Sequence, residues 1–141
     1  MPTTVTPYLF FEGRCEEALA FYEQALGAQR GALMRYRDNP EPQACPDGPA
    51  PAPDKVMHGA MTVGGTEIFL SDGMASGTTR FQGFGLAITL ATVEEVERRC
   101  AALAAGGQVT MAPTKTFYSP RFAMVTDRFG MQWMLLAQPA P

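Results

Sequence analysis

Residues 14–27 read RCEEALAFYEQALG, and the pattern of this stretch recurs later in the chain. It has the spacing of an amphipathic helix that ends at a glycine, and its apolar residues are Cys15, Ala18, Leu19, Tyr22 and Leu26. Residues 92–107, TVEEVERRCAALAAGG, again combine an acidic start, an apolar face and a glycine end. Thr92 and Glu95 form a capping-box pattern at the start of this second helix.

The segments around the two helices predict strands in the same order. In the first half, VTPYLFF (5–11) precedes the helix, and ALMRYR (32–37), VMHGAMTV (56–63) and TEIFLSD (66–72) follow it. In the second half, the corresponding segments are GFGLAITL (83–90), QVTMAP (108–113), RFAMVTD (121–127) and MQWMLLAQ (131–138). A single copy could not bury both its helix and its sheet. We therefore predict an α+β fold, a single domain of two βαβββ modules at about residues 4–73 and 82–138, with curved mixed sheets around a cup.

The composition excludes several classes of protein. The net charge is −3, and the 11 basic residues form no stripe, so no nucleic-acid partner is expected. No apolar run reaches the roughly 20 residues that a membrane span needs, and the N-terminus lacks the pattern of a leader peptide. We therefore predict a cytoplasmic protein without a membrane partner.

The three cysteines do not form a recognisable motif. Cys15, Cys45 and Cys100 are an odd number without a close pair, which argues against a disulfide framework or a zinc ribbon. Cys15 and Cys100 fall on the apolar faces of the predicted helices, where a buried cysteine acts as a small hydrophobe.

Residues 38–55 form a proline-rich loop between two predicted strands. The stretch DNPEPQACPDGPAPAPDK contains six prolines, each of which fixes φ and removes a backbone donor. A strand is therefore not expected here. The loop is either a lid over the cup or an arm that reaches a partner subunit.

Residues 58–73, HGAMTVGGTEIFLSDG, contain the only histidine and predict a hairpin that turns at Gly64-Gly65. Counting from that turn pairs Thr62 with Glu67, Ala60 with Phe69, and His58 with Ser71, with His58 and Glu67 on one face. These two side chains lie four residues apart along the ladder, about 13 Å at roughly 3.3 Å per residue, which is too far to chelate one ion. Asp72 has the opposite parity and is expected to cap a loop.

The doubled βαβββ order resembles the vicinal oxygen chelate superfamily, which includes glyoxalase I, extradiol dioxygenases and bleomycin-resistance proteins. The proline-rich loop and three further stretches point to its PhnB-like branch, and those three are YLFFEGRCEEALAFYEQALGA, VMHGAMTVGGTEIFLSD and VTDRFGMQWMLLAQ. The resemblance covers essentially the whole chain. It implies the cup-shaped fold and a homodimer, and it does not specify a reaction.

Metal-dependent members of that superfamily place one metal ligand on each of four strands. Matching the strands residue by residue leads to Pro7, Phe69, Gly85 and Met134. None of these is a ligand for a hard or borderline divalent ion, and a thioether alone suits soft copper(I). Neighbouring positions, which allow for a shift of one residue, offer no cluster of ligands either. We therefore expect no metal site and no cofactor.

Strand parity predicts the lining of the cup. Gly85 and Ala87 leave space on its surface, and the inward residues of the other strands are mostly apolar, which is typical of a small-molecule site. His58 could bind an anion or act as a base, although the sequence places no second titratable group to orient it. The predicted ligand-binding residues are Leu9, Phe11, His58, Phe69, Ser71, Gly85, Ala87, Gln132 and Met134.

Three functions are consistent with these patterns. The first is a protein that binds a small apolar or aromatic molecule in the cup without a metal. The second is a lyase, isomerase or dioxygenase that uses a divalent metal, or His58 or Glu67 as general base. The third is a dimeric interaction module whose pocket is vestigial. Fold alone does not decide among them.

Overall fold

The computed structural model describes residues 2–40 and 52–139. The chain divides into two units, Met1–Thr79 and Arg80–Pro141, and each contains one α-helix and one four-stranded sheet. The predicted α+β class and the doubled βαβββ order are therefore confirmed. Most of the proline-rich loop, residues 41–51 with Cys45, lies outside the described residues. The prediction of a lid or an arm concerns these residues.

The first unit follows the predicted order. Its elements are β1 (Tyr8–Phe10), α1 (Cys15–Leu26), β2 (Gln29–Arg35), a 3₁₀ turn (Tyr36–Asp38), β3 (Val56–Val63) and β4 (Thr66–Ser71). The sheet order is β1-β4-β3-β2, with β1 parallel to β4 and the other pairs antiparallel. The strand β2 begins three residues before the predicted segment, 32–37, and ends where the 3₁₀ turn starts.

The β3–β4 hairpin has the predicted register over most of its length. Thr62 lies opposite Glu67 and Ala60 opposite Phe69, as counting from the glycine turn requires. This ladder ends at Gly59, and His58 lies opposite Met34 of β2. The predicted pairing of His58 with Ser71 lies one residue beyond the last pair of this ladder and in the same register, and β2 is the neighbour of β3 on its other edge.

The helix α1 packs on one face of the first sheet. The core of this unit combines the apolar stripe of the helix with alternate strand residues, including Leu9, Cys15, Leu19, Tyr22, Met61, Ile68 and Leu70. Burial, with the nearby charges of Asp72 and Glu16, raises the pKa of the Cys15 thiol to about 12. Both described cysteines, Cys15 and Cys100, are buried and unpaired, as predicted.

A buried carboxylate ties α1 to the sheet. The helix follows Arg14, which supplies no side-chain cap. The Asp72 carboxylate, at the end of β4, accepts a hydrogen bond from the backbone N–H of Cys15 at 2.9 Å and another from that of Val56 at 2.6 Å. Asp72 is 4% exposed. Instead of capping only a loop, this residue caps a helix that begins 57 residues earlier in the chain and anchors the start of β3.

The second unit repeats the architecture. Its elements are β5 (Leu86–Leu90), α2 (Val93–Ala104), β6 (Gln108–Thr114), β7 (Phe122–Thr126) and β8 (Gln132–Ala137), in the sheet order β5-β8-β7-β6. The hydroxyl of Thr92 accepts a hydrogen bond from the backbone N–H of Glu95 at 3.1 Å, which confirms the predicted N-cap. Neither helix of the described residues has the length and apolar character that crossing a membrane requires.

The turn between β7 and β8 is organised by a second buried carboxylate. One oxygen of Asp127 accepts hydrogen bonds from the backbone N–H groups of Phe129 and Met131, and the other accepts the indole N–H of Trp133 at 2.9 Å. Trp133 is 2% exposed and belongs to the core on the helix side of the sheet.

We predict that Asp72→Asn lowers the free energy of unfolding by about 2 kcal/mol, since one of two buried backbone N–H groups then faces an amide NH₂ instead of an oxygen. Urea unfolding measures this change. The control is Glu94→Gln, which makes the same charge change on an exposed side chain and should cost less than about 0.5 kcal/mol. Equal losses in the two variants would show that Asp72 does not hold the helix.

Candidate functional site

Each helix covers one face of its own sheet, and the strand period of two residues directs the remaining side chains to the other face, called here the helix-free face. In the first unit this face carries a group of partly exposed rings. In the second it carries small and flexible apolar side chains. These two faces contain most of the residues that the sequence predicted to bind a ligand.

The helix-free face of the first sheet carries an aromatic cluster formed by Tyr8, Phe10, His58 and Phe69. Tyr8 and Phe10 stack with ring centroids 5.0 Å apart and an angle of 23° between their planes. His58 lies edge-on to Phe69 with a centroid distance of 4.9 Å, and Tyr8 is 5.4 Å from His58. Phe10 is 52% exposed and Tyr8 37%, so these rings present apolar surface outside the core.

The predicted face of β1 is wrong by one residue. Leu9 and Phe11 were expected on the cup side, but they are 1% and 0% exposed and belong to the core beneath α1. Tyr8 and Phe10 take the helix-free face because β1 pairs in parallel with β4 and places Tyr8 beside Phe69. Four consecutive apolar residues at positions 8–11 gave no alternation from which the face could be read.

Tyr8 also supplies the orienting group that the sequence did not reveal for His58. The Tyr8 hydroxyl lies 2.9 Å from Nδ1 of His58, across 50 residues of sequence. Within residues 2–40 and 52–139, Tyr8 is the one hydrogen-bond partner that His58 has. Because Nδ1 is engaged, Nε2 is the ring nitrogen that remains for a ligand.

The other candidates near His58 are less favourably placed. Glu67 lies on the same face as predicted, but it is exposed and sits opposite Thr62 near the glycine turn. Ser71 was predicted to bind a ligand, yet it is 4% exposed and its hydroxyl accepts a hydrogen bond from the backbone N–H of Gly73 at 3.1 Å. The structure therefore brings His58 against Phe69, whereas Glu67 lies two residues farther along the same face of β4, toward the glycine turn.

The helix-free face of the second sheet has the composition that the sequence predicted. Ala87 pairs with Met134, and Gln132 is exposed on the same side of β8. A Cβ added to Gly85 would lie 3.1 Å from the Gln132 carbonyl oxygen, so the backbone approach at Gly85 is closer than most side chains allow. Met111, Met124 and Met134 are successive register partners across β6, β7 and β8, which gives the face a row of flexible thioethers.

The residues of these faces do not fit a divalent metal ion. The strand pairing places Tyr8 beside Phe69 and Ala87 beside Met134. These four residues therefore occupy the positions where metal-dependent members of the superfamily would carry their ligands. A phenol, a benzyl group, a methyl group and a thioether are not the donors that such ions prefer. In the described part of the chain, no three His, Cys, Asp or Glu side chains come together as a possible metal site.

The second unit also has an open depression of about 710 Å³ beside the ends of β5 and β8. Val93 at the start of α2, Ala137 at the end of β8, and the loop residues Lys115, Phe117 and Tyr118 line it. Phe117 is fully exposed, so this depression is shallow at its rim. Sequence reasoning did not predict it, because it arises where a loop meets the ends of two elements.

Comparison with known proteins gives one family. The sequence profile of the Glyoxalase/Bleomycin resistance protein/Dioxygenase superfamily matches residues 4–135. The chain is 35% identical over 136 residues to protein YjdN of Escherichia coli (strain K12), covering 93% of this chain and 92% of that protein. Its structure is similar to that of protein PA1353 from Pseudomonas aeruginosa, with a TM-score of 0.82, 36% identity and coverage of 97% and 98%. It is also similar to a PhnB protein from Bacillus cereus, with a TM-score of 0.76, 26% identity and coverage of 96% and 99%.

We predict that neutral His58 carries its proton on Nε2, because the Tyr8 hydroxyl is placed to donate to Nδ1. Two-bond ¹H–¹⁵N spectra at a pH where imidazole is neutral test this directly, and the single histidine leaves no ambiguity of assignment. Tyr8→Phe should move the Nδ1 resonance toward that of a nitrogen without a hydrogen bond. Tyr118→Phe, in the second unit, should leave it unchanged. A spectrum in which Nδ1 bears the proton would contradict the prediction.

Proposed function

We propose that this chain, which belongs to the Glyoxalase/Bleomycin resistance protein/Dioxygenase superfamily, binds a small apolar or aromatic molecule on the helix-free face of its first sheet and needs no metal ion to do so. The observation that carries this proposal is the aromatic cluster, whose rings are held by strands but remain partly exposed. Apolar surface left in contact with water outside a core commonly marks a binding site.

The geometry of the cluster suits a flat ligand. Tyr8 and Phe10 are nearly parallel, and Phe69 meets Tyr8 edge-on at 5.8 Å. A planar ring can therefore find both a stacking surface and an edge, and each aromatic pair contributes about 0.5–1.5 kcal/mol beyond the burial of area. Because β1, β3 and β4 hold the rings, little ordering of the protein has to accompany binding.

The helix-free face of the second sheet supports binding of the same class of compound. Met124 and Met134 are partly buried neighbours on adjacent strands, and Ala87 beside them leaves room. Methionine side chains adapt to ligands of different shape. We propose no separate ligand for this face.

A second candidate function is acid–base catalysis by His58, and the hydrogen bond from Tyr8 is the observation that favours it. An oriented imidazole is the commonest general base in enzymes. A general base needs an unprotonated nitrogen that faces the substrate. When Tyr8 donates to Nδ1, the nitrogen available to a substrate is Nε2, and it carries the ring proton. Within residues 2–40 and 52–139 the exposed Glu67 has no comparable orienting contact, so His58 is the better base of the two.

The homodimer and the cytoplasmic location that the sequence analysis predicted stay predictions. A dimeric module with a vestigial pocket differs from the proposed function in one measurable respect, since it should show no stabilisation by any small ligand. Ligand that binds only the native state raises its stability by RT ln(1 + [L]/Kd).

We predict that Phe10→Ala weakens the binding of 2-methylnaphthalene about five- to tenfold, which corresponds to the loss of roughly one stacking contact. A fluorescence titration of the hydrocarbon measures this change. Phe117→Ala is the control, because it removes an even more exposed ring from the loop of the second unit. A loss of affinity on Phe117→Ala with none on Phe10→Ala would place the ligand in the depression of the second unit instead.

We further predict that removal of metals leaves this binding unchanged. Protein treated with a strong chelator and then dialysed should bind 2-methylnaphthalene with the same Kd as untreated protein, within about twofold, because none of the rings depends on an ion for its position. Addition of nickel, zinc, manganese or ferrous iron should not raise the melting temperature. Stoichiometric metal in the untreated protein, with binding lost on chelation, would refute the metal-free proposal.

A further inference from the structure

We infer that the ligand of the aromatic cluster carries an acceptor oxygen next to its ring, as a carboxylate, phenolate or carbonyl group, and that Nε2–H of His58 donates to this oxygen. This inference rests on the proposed function, because it assigns a chemical class to the molecule that the cluster binds. It adds one directional contact to a surface that is otherwise apolar.

The Tyr8–His58 hydrogen bond decides which atom faces the ligand. The Tyr8 hydroxyl is 2.9 Å from Nδ1, and a neutral imidazole has one protonated and one unprotonated nitrogen. When the phenol donates to Nδ1, the ring proton is on Nε2. When the imidazole is charged, both nitrogens carry protons and Tyr8 accepts from Nδ1. In the charged state, and in the neutral state in which Tyr8 donates, the nitrogen left for a ligand is a donor.

The imidazole of His58 is itself part of the surface that the cluster presents. His58 is half-buried between Phe69, at 4.9 Å, and Tyr8, at 5.4 Å, and Tyr8 stacks on Phe10 at 5.0 Å. A ligand ring seated on these side chains lies within about one ring's width of the imidazole. In the described part of the chain no protein group accepts from Nε2.

Desolvation makes the donor selective. A hydrocarbon that covers His58 removes water from Nε2–H and supplies no acceptor, and leaving such a group unsatisfied is unfavourable. An aromatic amine brings a second donor to the same point. A carboxylate or phenolate restores the lost hydrogen bond in a charge-assisted form, which is the stronger kind.

Three naphthalene probes of similar size test this inference. They are 2-naphthoate, which carries an acceptor, 2-naphthylamine, which carries a donor, and 2-methylnaphthalene, which carries neither. We expect the wild-type protein to bind 2-naphthoate about five- to tenfold more tightly than 2-methylnaphthalene, and 2-naphthylamine no more tightly than 2-methylnaphthalene. Fluorescence titration supplies the three dissociation constants.

Two variants of His58 separate the hydrogen bond from general attraction of an anion. His58→Phe keeps a planar ring but removes both nitrogens, so the two dissociation constants should become equal within about twofold and the preference for 2-naphthoate should disappear. His58→Gln keeps an N–H donor near the position of Nε2 and should retain part of the preference. Tyr8→Phe keeps the stacking ring and should weaken the preference for 2-naphthoate, because without the phenol hydroxyl the imidazole proton is no longer held on Nε2. Circular dichroism and thermal melting establish that each variant is folded.

The outcomes distinguish the inference from the proposed function. A preference for 2-naphthoate that survives in His58→Phe, or tighter binding of 2-naphthylamine, would overturn the inference while leaving the binding proposal intact. Failure of all three probes to bind the wild-type protein would overturn the binding proposal itself. A preference that is lost in His58→Phe and partly kept in His58→Gln would establish His58 as the specificity-determining residue.

Discussion

Each sheet of this protein has one helix, and one helix can cover one face only. In a strand with a period of two residues, this constraint divides the side chains into a core set and a helix-free set. Leu9, Met61 and Leu70 belong to the core set of the first unit, whereas Tyr8 and Phe69 belong to the other. The aromatic cluster follows from this division, since its members are the helix-free neighbours on β1, β3 and β4.

The two buried carboxylates show where the repeated units differ. Asp72 joins the end of β4 to the first residues of α1 and β3, and so fixes the strands that carry His58 and Phe69. Asp127 instead organises the turn between β7 and β8 and holds the indole of Trp133. The first unit uses its buried acid for a long-range connection and the second for a local one. The aromatic cluster belongs to the unit with the long-range connection.

The sequence predicted what depends on local periodicity and missed what depends on pairing between distant strands. Both helices and the β3–β4 hairpin were predicted within a residue or two, because the apolar spacing and the Gly64-Gly65 turn define them. The predicted orientation of β1 was wrong, since residues 8–11 are all apolar and neither strand has a sequence pattern that reveals the parallel register of β1 with β4. The Tyr8–His58 contact was missed for the same reason, because 50 residues separate the two.

The binding proposal and the catalytic candidate use the same imidazole in different tautomers. With the proton on Nε2, His58 donates to a ligand and has no lone pair to accept a proton from it; with the proton on Nδ1, Nε2 is a base. A phenol hydroxyl 2.9 Å from Nδ1 stabilises the first tautomer when it donates and the second when it accepts. Donation by the phenol is the arrangement we propose, since it pairs a hydroxyl donor with the lone pair of a neutral imidazole nitrogen. The contact that orients His58 therefore favours recognition of an acceptor oxygen over removal of a proton.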